Sequence, residues 1–70
     1  MTHNESLNEA FERGKNAFVN EDFSGSVEEF TKAIEMDPDF ALTYASRGAA
    51  LMKMNEIEES LADFDHAIEL

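Results

Sequence analysis

Cysteine and tryptophan are absent from this chain of 70 residues, and proline occurs once. The absence of cysteine excludes disulfides, thiolate metal sites and cysteine nucleophiles. Basic residues are scarce: 5 Lys and Arg stand against 16 Asp and Glu, and the net charge of -11 disfavours binding to nucleic acid and to anionic membranes. Residues 1–10 lack the features of a secretory signal, and no apolar run approaches the ~20 residues of a membrane-spanning helix. We therefore expect a cytoplasmic protein.

The second half of the chain repeats the first at one fixed offset, which equals the separation between Arg13 and Arg47 along the sequence. The identical pairs are Arg13 and Arg47, Gly14 and Gly48, Ser26 and Ser60, Phe30 and Phe64, Ala33 and Ala67, Ile34 and Ile68, and Glu35 and Glu69. A period of this length indicates a supersecondary unit that buries its apolar face by stacking on its own copy. We expect an N-terminal tail and cap at residues 1–6, a first unit at 7–40, and a second unit at 41–70 that is truncated and lacks a capping helix.

Apolar residues recur at helical intervals in the later part of each unit. They are Phe23, Val27, Phe30 and Ile34 in the first unit, and Ile57, Leu61, Phe64 and Ile68 in the second. Steps of four, three and four residues place each set on one face of a helix. Most carboxylates fall on the other faces, so we expect them, Asp63 included, to face water.

Two further helices are predicted. One covers about residues 6–20, where Ser6 and Glu9 have the spacing of a capping box. Pro38 interrupts the helical pattern, because proline lacks the N–H that a helix interior requires. The other covers about residues 40–54, with Asp39 as its expected N-cap, and is apolar around most of its circumference, which predicts packing on more than one side. The whole pattern predicts an all-α fold of four antiparallel helices.

Gly14 and Gly48 occupy the same position inside two predicted helices. Glycine in a helix interior costs roughly 1 kcal/mol relative to alanine, so its recurrence needs a reason. Close contact between helices provides one, and the small residues Ser26 and Ser60 on the partner helices agree with it.

These features resemble the tetratricopeptide repeat, a pair of antiparallel helices that stacks into a right-handed superhelix. The resemblance covers Leu7 to Leu70. It is carried by Gly14, Phe23, Ala33-Ile34-Glu35-Met36 and Asp37-Pro38 in the first unit, and by Tyr44, Arg47-Gly48 and Ala67-Ile68-Glu69-Leu70 in the second. Ala10, Ala17, Ser26 and Ser60 depart from the usual residues of the family. The resemblance implies a protein-interaction scaffold that binds a peptide or helix of another protein in a concave groove.

By the same resemblance, the first helix of each unit lines this groove. The implied residues are Asn8, Phe11, Glu12, Lys15, Phe18 and Val19 from the first unit, and Leu42, Ala45, Ser46, Ala49, Met52 and Lys53 from the second. The apolar members would anchor a partner, and the polar members would orient its backbone or carboxylate groups. As alternatives, the large apolar members are core between the helices, or they bind a second copy of this chain.

The best-known ligand of the family is the Glu-Glu-Val-Asp tail of heat-shock chaperones, which a clamp of Lys and Asn residues grips. At the matching positions this chain has Phe11 in place of Lys, and Lys15 and Ser46 in place of Asn. The net charge of -11 also opposes an acidic tail. We therefore expect no such clamp.

The alternative function is structural. An uncapped repeat leaves apolar side chains uncovered, and a homodimer or higher assembly would bury them. The residues expected at this self-association surface are Leu51, Leu61, Phe64 and Ile68.

Catalytic and metal-binding patterns are lacking. The stretch from Asn20 to Thr31 echoes half of an EF-hand loop, but Thr31 stands where a bidentate carboxylate is required. Asp63 and His66 lie three residues apart, without further ligands beside them. No nucleophile–base pair or phosphate-binding loop is evident. We expect no enzyme, no cofactor and no metal.

Overall fold

The computed structural model describes residues 6–70, which form four helices. They are α1 (Leu7–Val19), α2 (Phe23–Met36), α3 (Ala41–Lys53) and α4 (Ile57–Glu69), and the described part of the chain contains no strand. Each helix packs on the next one along the chain. The all-α prediction of two helix–turn–helix pairs is therefore confirmed. Most of the predicted N-terminal tail, residues 1–5, lies outside the described residues.

Helix α1 begins with the predicted capping box. The Ser6 hydroxyl accepts a hydrogen bond from the Glu9 backbone N–H at 3.1 Å, and the Glu9 carboxylate accepts one from the Ser6 backbone N–H at 2.8 Å. Helix α2 begins in a similar way, since the Asp22 side chain accepts from the Gly25 N–H at 3.0 Å. Two otherwise unpaired backbone donors are thus satisfied at the start of α1.

The N-cap of α3 differs from the prediction. Phe40 is the N-cap and has no capping side chain, and the helix begins at Ala41. Asp39 is drawn into the preceding turn, where its backbone N–H donates to the Asp37 carboxylate at 3.1 Å. The aspartate before Pro38 forms this local turn, so the capping position moves one residue along the chain.

Helices α1 and α3 end in equivalent turns. Glu21 and Asn55 hold the same position in the two units, and both have φ of 64°. The N–H groups that follow them return to the helices, from Asp22 to the Ala17 carbonyl at 2.8 Å and from Glu56 to the Leu51 carbonyl at 2.9 Å. This is the Schellman arrangement, which needs one residue in the left-handed region.

The two glycines lie where helices of one unit meet. A Cβ added to Gly14 would lie 2.5 Å from the Phe30 ring, and one added to Gly48 would lie 3.0 Å from the Phe64 ring. The Ser26 hydroxyl donates to the Gly14 carbonyl at 2.9 Å, and the equivalent Ser60 hydroxyl donates to the Gly48 carbonyl at 2.7 Å. The serines are fully buried, so each satisfies its own polar group at the contact.

The expectation that Asp63 faces water is wrong. Its side chain is buried and accepts two hydrogen bonds from Arg47, one from Nε and one from Nη2, both at 2.8 Å. Arg47 also donates from Nη1 to the Thr31 hydroxyl at 3.2 Å, which joins the second unit to the first. The hydrogen bond to Asp63 raises the pKa of Arg47 above its ordinary value, against the opposing effect of burial. Helical periodicity alone did not reveal this ion pair, because it shows which face of a helix is polar and does not show which side chain of another helix contacts that face.

Candidate functional site

A small hollow lies between α1 and α3. It has a volume of about 240 Å³ and is lined by Lys15, Phe18 and Val19 of α1, Ser46 and Ala49 of α3, and Phe30 of α2. Phe30 is almost completely buried, so it is a rigid part of the wall. We call this hollow the α1–α3 pocket. Five of its six lining residues belong to the groove implied by the sequence.

A second hollow of about 430 Å³ adjoins the first and shares Phe18 and Val19 with it. Glu21, Phe23 and Lys53 complete its lining, and we call it the outer hollow. The rings of Phe18 and Phe23 meet edge to face, with their centroids 5.2 Å apart. Because Phe18 is held by this contact, it forms a stable wall between the two hollows.

Phe11 lies in an aromatic cluster at the base of α1. Its ring centroid is 5.5 Å from that of Phe30 and 6.0 Å from that of Phe40, and the Lys15 ammonium lies 5.7 Å from its centroid. Phe40 was missed at the sequence level because it precedes α3 and lies outside any periodic pattern. Phe11 is therefore a half-buried member of this cluster, and it lines neither hollow.

The other predicted groove residues line neither hollow. Asn8, Leu42 and Met52 are exposed, with Leu42 at 53% and Met52 at 40%, and Ala45 is half-buried. The backbone carbonyl of Leu42 accepts a hydrogen bond from the Ser46 hydroxyl at 2.8 Å. Of the predicted groove, the structure thus gathers Lys15, Phe18, Val19, Ser46 and Ala49 around the α1–α3 pocket, and it leaves Asn8, Leu42 and Met52 on the open helix surface.

The cations of the chain fall into two groups. Arg13 and Lys32 both pair with Glu29, at 3.0 and 3.5 Å, and Arg47 pairs with Asp63. The remaining two, Lys15 and Lys53, line the hollows. Lys15 contacts Glu12 of its own helix at 3.1 Å, whereas Lys53 makes no ion pair or hydrogen bond within residues 6–70. Within residues 6–70, the cation without an ion pair is therefore Lys53, which lines the outer hollow.

The residues predicted for self-association differ in how exposed their side chains are. Leu61 and Ile68 are exposed, at 51% and 82%, and Phe64 is half-buried against Gly48. Leu51 does not fit the prediction: it is only 8% exposed, because α3 turns it inward beside Val27 and Arg47. Of the four residues predicted for self-association, those that remain at least partly uncovered are therefore the α4 side chains Leu61, Phe64 and Ile68.

Two other features, a metal-binding cluster and a membrane-spanning helix, are absent from the described residues. Residues 6–70 hold no group of three or more His, Asp or Glu side chains that would coordinate a metal ion. Within the same range, none of the helices is long and apolar enough to cross a membrane.

Comparison with known proteins identifies the repeats. The chain is 38% identical over 58 residues to the STIP1 homologue of Dictyostelium discoideum, 36% identical over 62 residues to Hsp70-Hsp90 organizing protein 2 of Arabidopsis thaliana, and 31% identical over 58 residues to small glutamine-rich tetratricopeptide repeat-containing protein 2 of Saccharomyces cerevisiae. These matches cover 83%, 89% and 83% of the chain. The chain belongs to the tetratricopeptide-repeat family.

This chain spans only a small share of the length of these relatives. The chain spans 10% of the Dictyostelium protein, 11% of the Arabidopsis protein and 17% of the yeast protein. Neither a protein-family model nor a solved structure matches the chain. The helix pairs, their glycine contacts and these relatives together identify the fold.

Proposed function

We propose that this tetratricopeptide-repeat chain is a non-enzymatic protein-interaction module, and that its α1–α3 pocket holds an apolar side chain of a partner peptide. The observation that supports this most directly is the pocket itself. Phe18, Phe30 and Ala49 supply apolar walls, and a volume of about 240 Å³ suits one leucine or phenylalanine side chain. Burying such a side chain contributes about 1.5–3 kcal/mol.

The charges beside the pocket suggest what flanks this apolar residue. Lys15 lies at the pocket and Lys53 at the adjoining outer hollow, while the other cations of residues 6–70 pair with carboxylates on other parts of the surface. A carboxylate of the peptide placed near Lys53 would gain an ion pair without breaking an existing one. We therefore expect a peptide with a bulky apolar residue next to Asp or Glu.

The binding test uses an array of ten-residue peptides. Their central residue is Leu, Phe or Ala, and their flanking residues are either Glu or Lys. The expected result is retention of peptides with a Leu or Phe centre and Glu flanks, with a loss of about tenfold when the centre is Ala. If the Lys-flanked peptides bind as well as the Glu-flanked ones, the role of Lys53 is wrong.

Two variant pairs assign the binding to the pocket. Ala49→Leu fills the α1–α3 pocket and should abolish retention, whereas Ala62→Leu, on the exposed surface of α4, should leave it unchanged. Lys53→Glu should weaken retention more than Lys32→Glu, which alters the net charge by the same amount on α2. Unchanged binding by Ala49→Leu would contradict the proposal.

A chaperone tail is a second candidate ligand, because one relative is named for organizing Hsp70 and Hsp90. Phe11, Lys15 and Ser46 at the clamp positions argue against a grip on the terminal carboxylate. We expect a peptide ending in Glu-Glu-Val-Asp to bind weakly, and amidation of its C-terminus to change the affinity less than twofold. Tight binding that amidation abolishes would show that a carboxylate clamp exists after all.

A further inference from the structure

A third hollow lies between α2 and α4, with α3 completing its wall. It has a volume of about 380 Å³, and its lining residues come from both units of the chain. We call it the α2–α4 cleft. It shares no lining residue with the α1–α3 pocket or the outer hollow. An inference drawn from this cleft therefore does not depend on the proposed function.

One part of the cleft is apolar. Its side chains are Val27 of α2, Leu51 of α3 and Ala62 of α4. Leu51 is buried and Val27 is half-buried, so both are held in place by the packing of the helices. An alkyl chain laid against these three side chains would be removed from water, which is favourable.

The rest of the lining carries more negative than positive charge. It contains the cation of Arg47 and the carboxylates of Asp63 and Glu59, which leaves a net charge of -1. Arg47 already donates twice to Asp63 and once to Thr31, so three of its five N–H groups are in use. Glu59 is exposed and makes no hydrogen bond or ion pair within residues 6–70. The uncompensated charge of the cleft therefore belongs to Glu59.

Three groups in the cleft can still accept hydrogen bonds. The Glu59 carboxylate has no donor among the described residues, and each Asp63 oxygen accepts one bond from Arg47 and keeps a lone pair. The Thr31 hydroxyl donates to the Val27 carbonyl at 2.7 Å and accepts from Arg47 at 3.2 Å, which also leaves one lone pair. A primary ammonium has three N–H donors and no acceptor, so its needs match this set.

We propose that the α2–α4 cleft binds a lysine side chain of another protein. The alkyl stem would lie on Val27, Leu51 and Ala62, and the ammonium would pair with Glu59. A carboxylate side chain fits the cleft less well, because it would have to approach Glu59 and Asp63 in order to reach Arg47. A second copy of this chain is also a poor source of the lysine, since each copy carries a net charge of -11 and the two would repel each other.

The test uses the whole chain with isotope-labelled methyl groups and the peptide acetyl-Ala-Ala-Lys-Ala-Ala-amide, followed by NMR. Titration should produce saturable shifts at the methyl groups of Val27, Leu51 and Ala62. A peptide with norleucine in place of lysine keeps the alkyl stem and lacks the ammonium, so it should bind at least about fivefold more weakly. A peptide with glutamate there should cause no saturable shift. Equal binding by the norleucine peptide, or tighter binding by the glutamate peptide, would overturn the proposal.

Two pairs of variants assign the binding to the cleft. Glu59→Gln should weaken binding of the lysine peptide about threefold, as expected for an exposed ion pair, whereas Glu58→Gln, an equal charge change outside the cleft, should leave it unchanged. Ala62→Leu places a larger side chain in the cleft and should abolish the shifts at Val27 and Leu51, whereas Ala49→Leu, in the α1–α3 pocket, should not.

Equal effects of Glu58→Gln and Glu59→Gln would contradict the proposal, because they would show attraction to the overall charge of the chain. Binding that survives Ala62→Leu would contradict it as well. The peptide array can be repeated with the Ala62→Leu chain, which removes any retention through the cleft and leaves the α1–α3 pocket intact. Failure at the cleft and failure at the α1–α3 pocket are therefore distinguishable.

Discussion

The two helix pairs have the same residues at their central contacts, yet they bury them unequally. Phe30 is 1% exposed, whereas its counterpart Phe64 is half-buried. The difference comes from the neighbours. Helix α2 lies between α1 and α3, while α4 packs closely on α3 alone among the described helices. The same residue at the same repeat position therefore contributes a different amount to stability, according to how many helices surround it.

The largest expected difference concerns the two phenylalanines. Phe30→Ala removes a completely buried ring and should lower the free energy of unfolding by about 4 kcal/mol, whereas Phe64→Ala should cost about half as much. Urea denaturation followed by far-ultraviolet circular dichroism measures both losses. Phe30→Leu serves as the milder variant if Phe30→Ala does not fold. Equal losses at the two sites would mean that α4 is covered in solution.

The glycines opposite these rings come next. Gly14→Ala would drive a Cβ into the buried Phe30 ring and should cost about 2 kcal/mol. At Gly48 the added Cβ meets the less confined Phe64 ring at 3.0 Å, and the gain of about 1 kcal/mol in helix propensity should offset the crowding. We expect Gly48→Ala to melt within a few degrees of the unaltered chain. A large loss there would show that Phe64 cannot move.

The two arginine ion pairs should differ by a smaller amount in what they contribute to the free energy of unfolding. Asp63→Ala leaves the partly buried Arg47 without its bidentate partner and should cost about 2 kcal/mol. Glu29→Ala removes the more exposed contact with Arg13 and should cost less than about 1 kcal/mol. The Glu29 effect should also shrink in about 1 M salt, because exposed charges are screened. If the loss from Asp63→Ala shrank equally in salt, the Arg47 pair would not be shielded from solvent.

The smallest expected effect lies in the two Schellman turns. Glu21 and Asn55 share a φ of 64°, but asparagine tolerates this region much better than glutamate. Glu21→Gly should therefore stabilise the chain by about 0.5–1 kcal/mol, and Asn55→Gly by less. Thermal melts of the two single variants make the comparison. A greater gain from Asn55→Gly would contradict this explanation.

Much of the fold could be predicted from local signals. The capping box at Ser6 and Glu9 and the contact made by Gly14 are confirmed, because each depends on residue types at short or repeated spacing. The cap of α3 could not be predicted, since Asp39 had two competing uses and the turn at Asp37 took its backbone N–H. Asp63 was placed at the surface because periodicity reports which residues share a face, without reporting what covers that face. Leu51 was placed there because the second unit was expected to be uncapped, whereas the structure buries it.

The candidate site was only partly predictable for the same reason. The resemblance to the family supplied Lys15, Phe18, Ser46 and Ala49, all of which line the α1–α3 pocket. It also supplied Leu42 and Met52, which do not. The missing information was the position of Phe30, a residue of α2 that closes the pocket between two other helices. No pattern within a single helix indicates that a side chain from another helix ends there.

By itself, the sequence determined the number of helices, their pairing within each unit and the close contacts at the two glycines. These depend on local interactions that occur at the same positions of both units. Only the tertiary structure decided which cations are paired, which leucines are covered and where a hollow remains. Those properties depend on side chains that approach one another from different helices, and their distances follow from the packing of the whole chain.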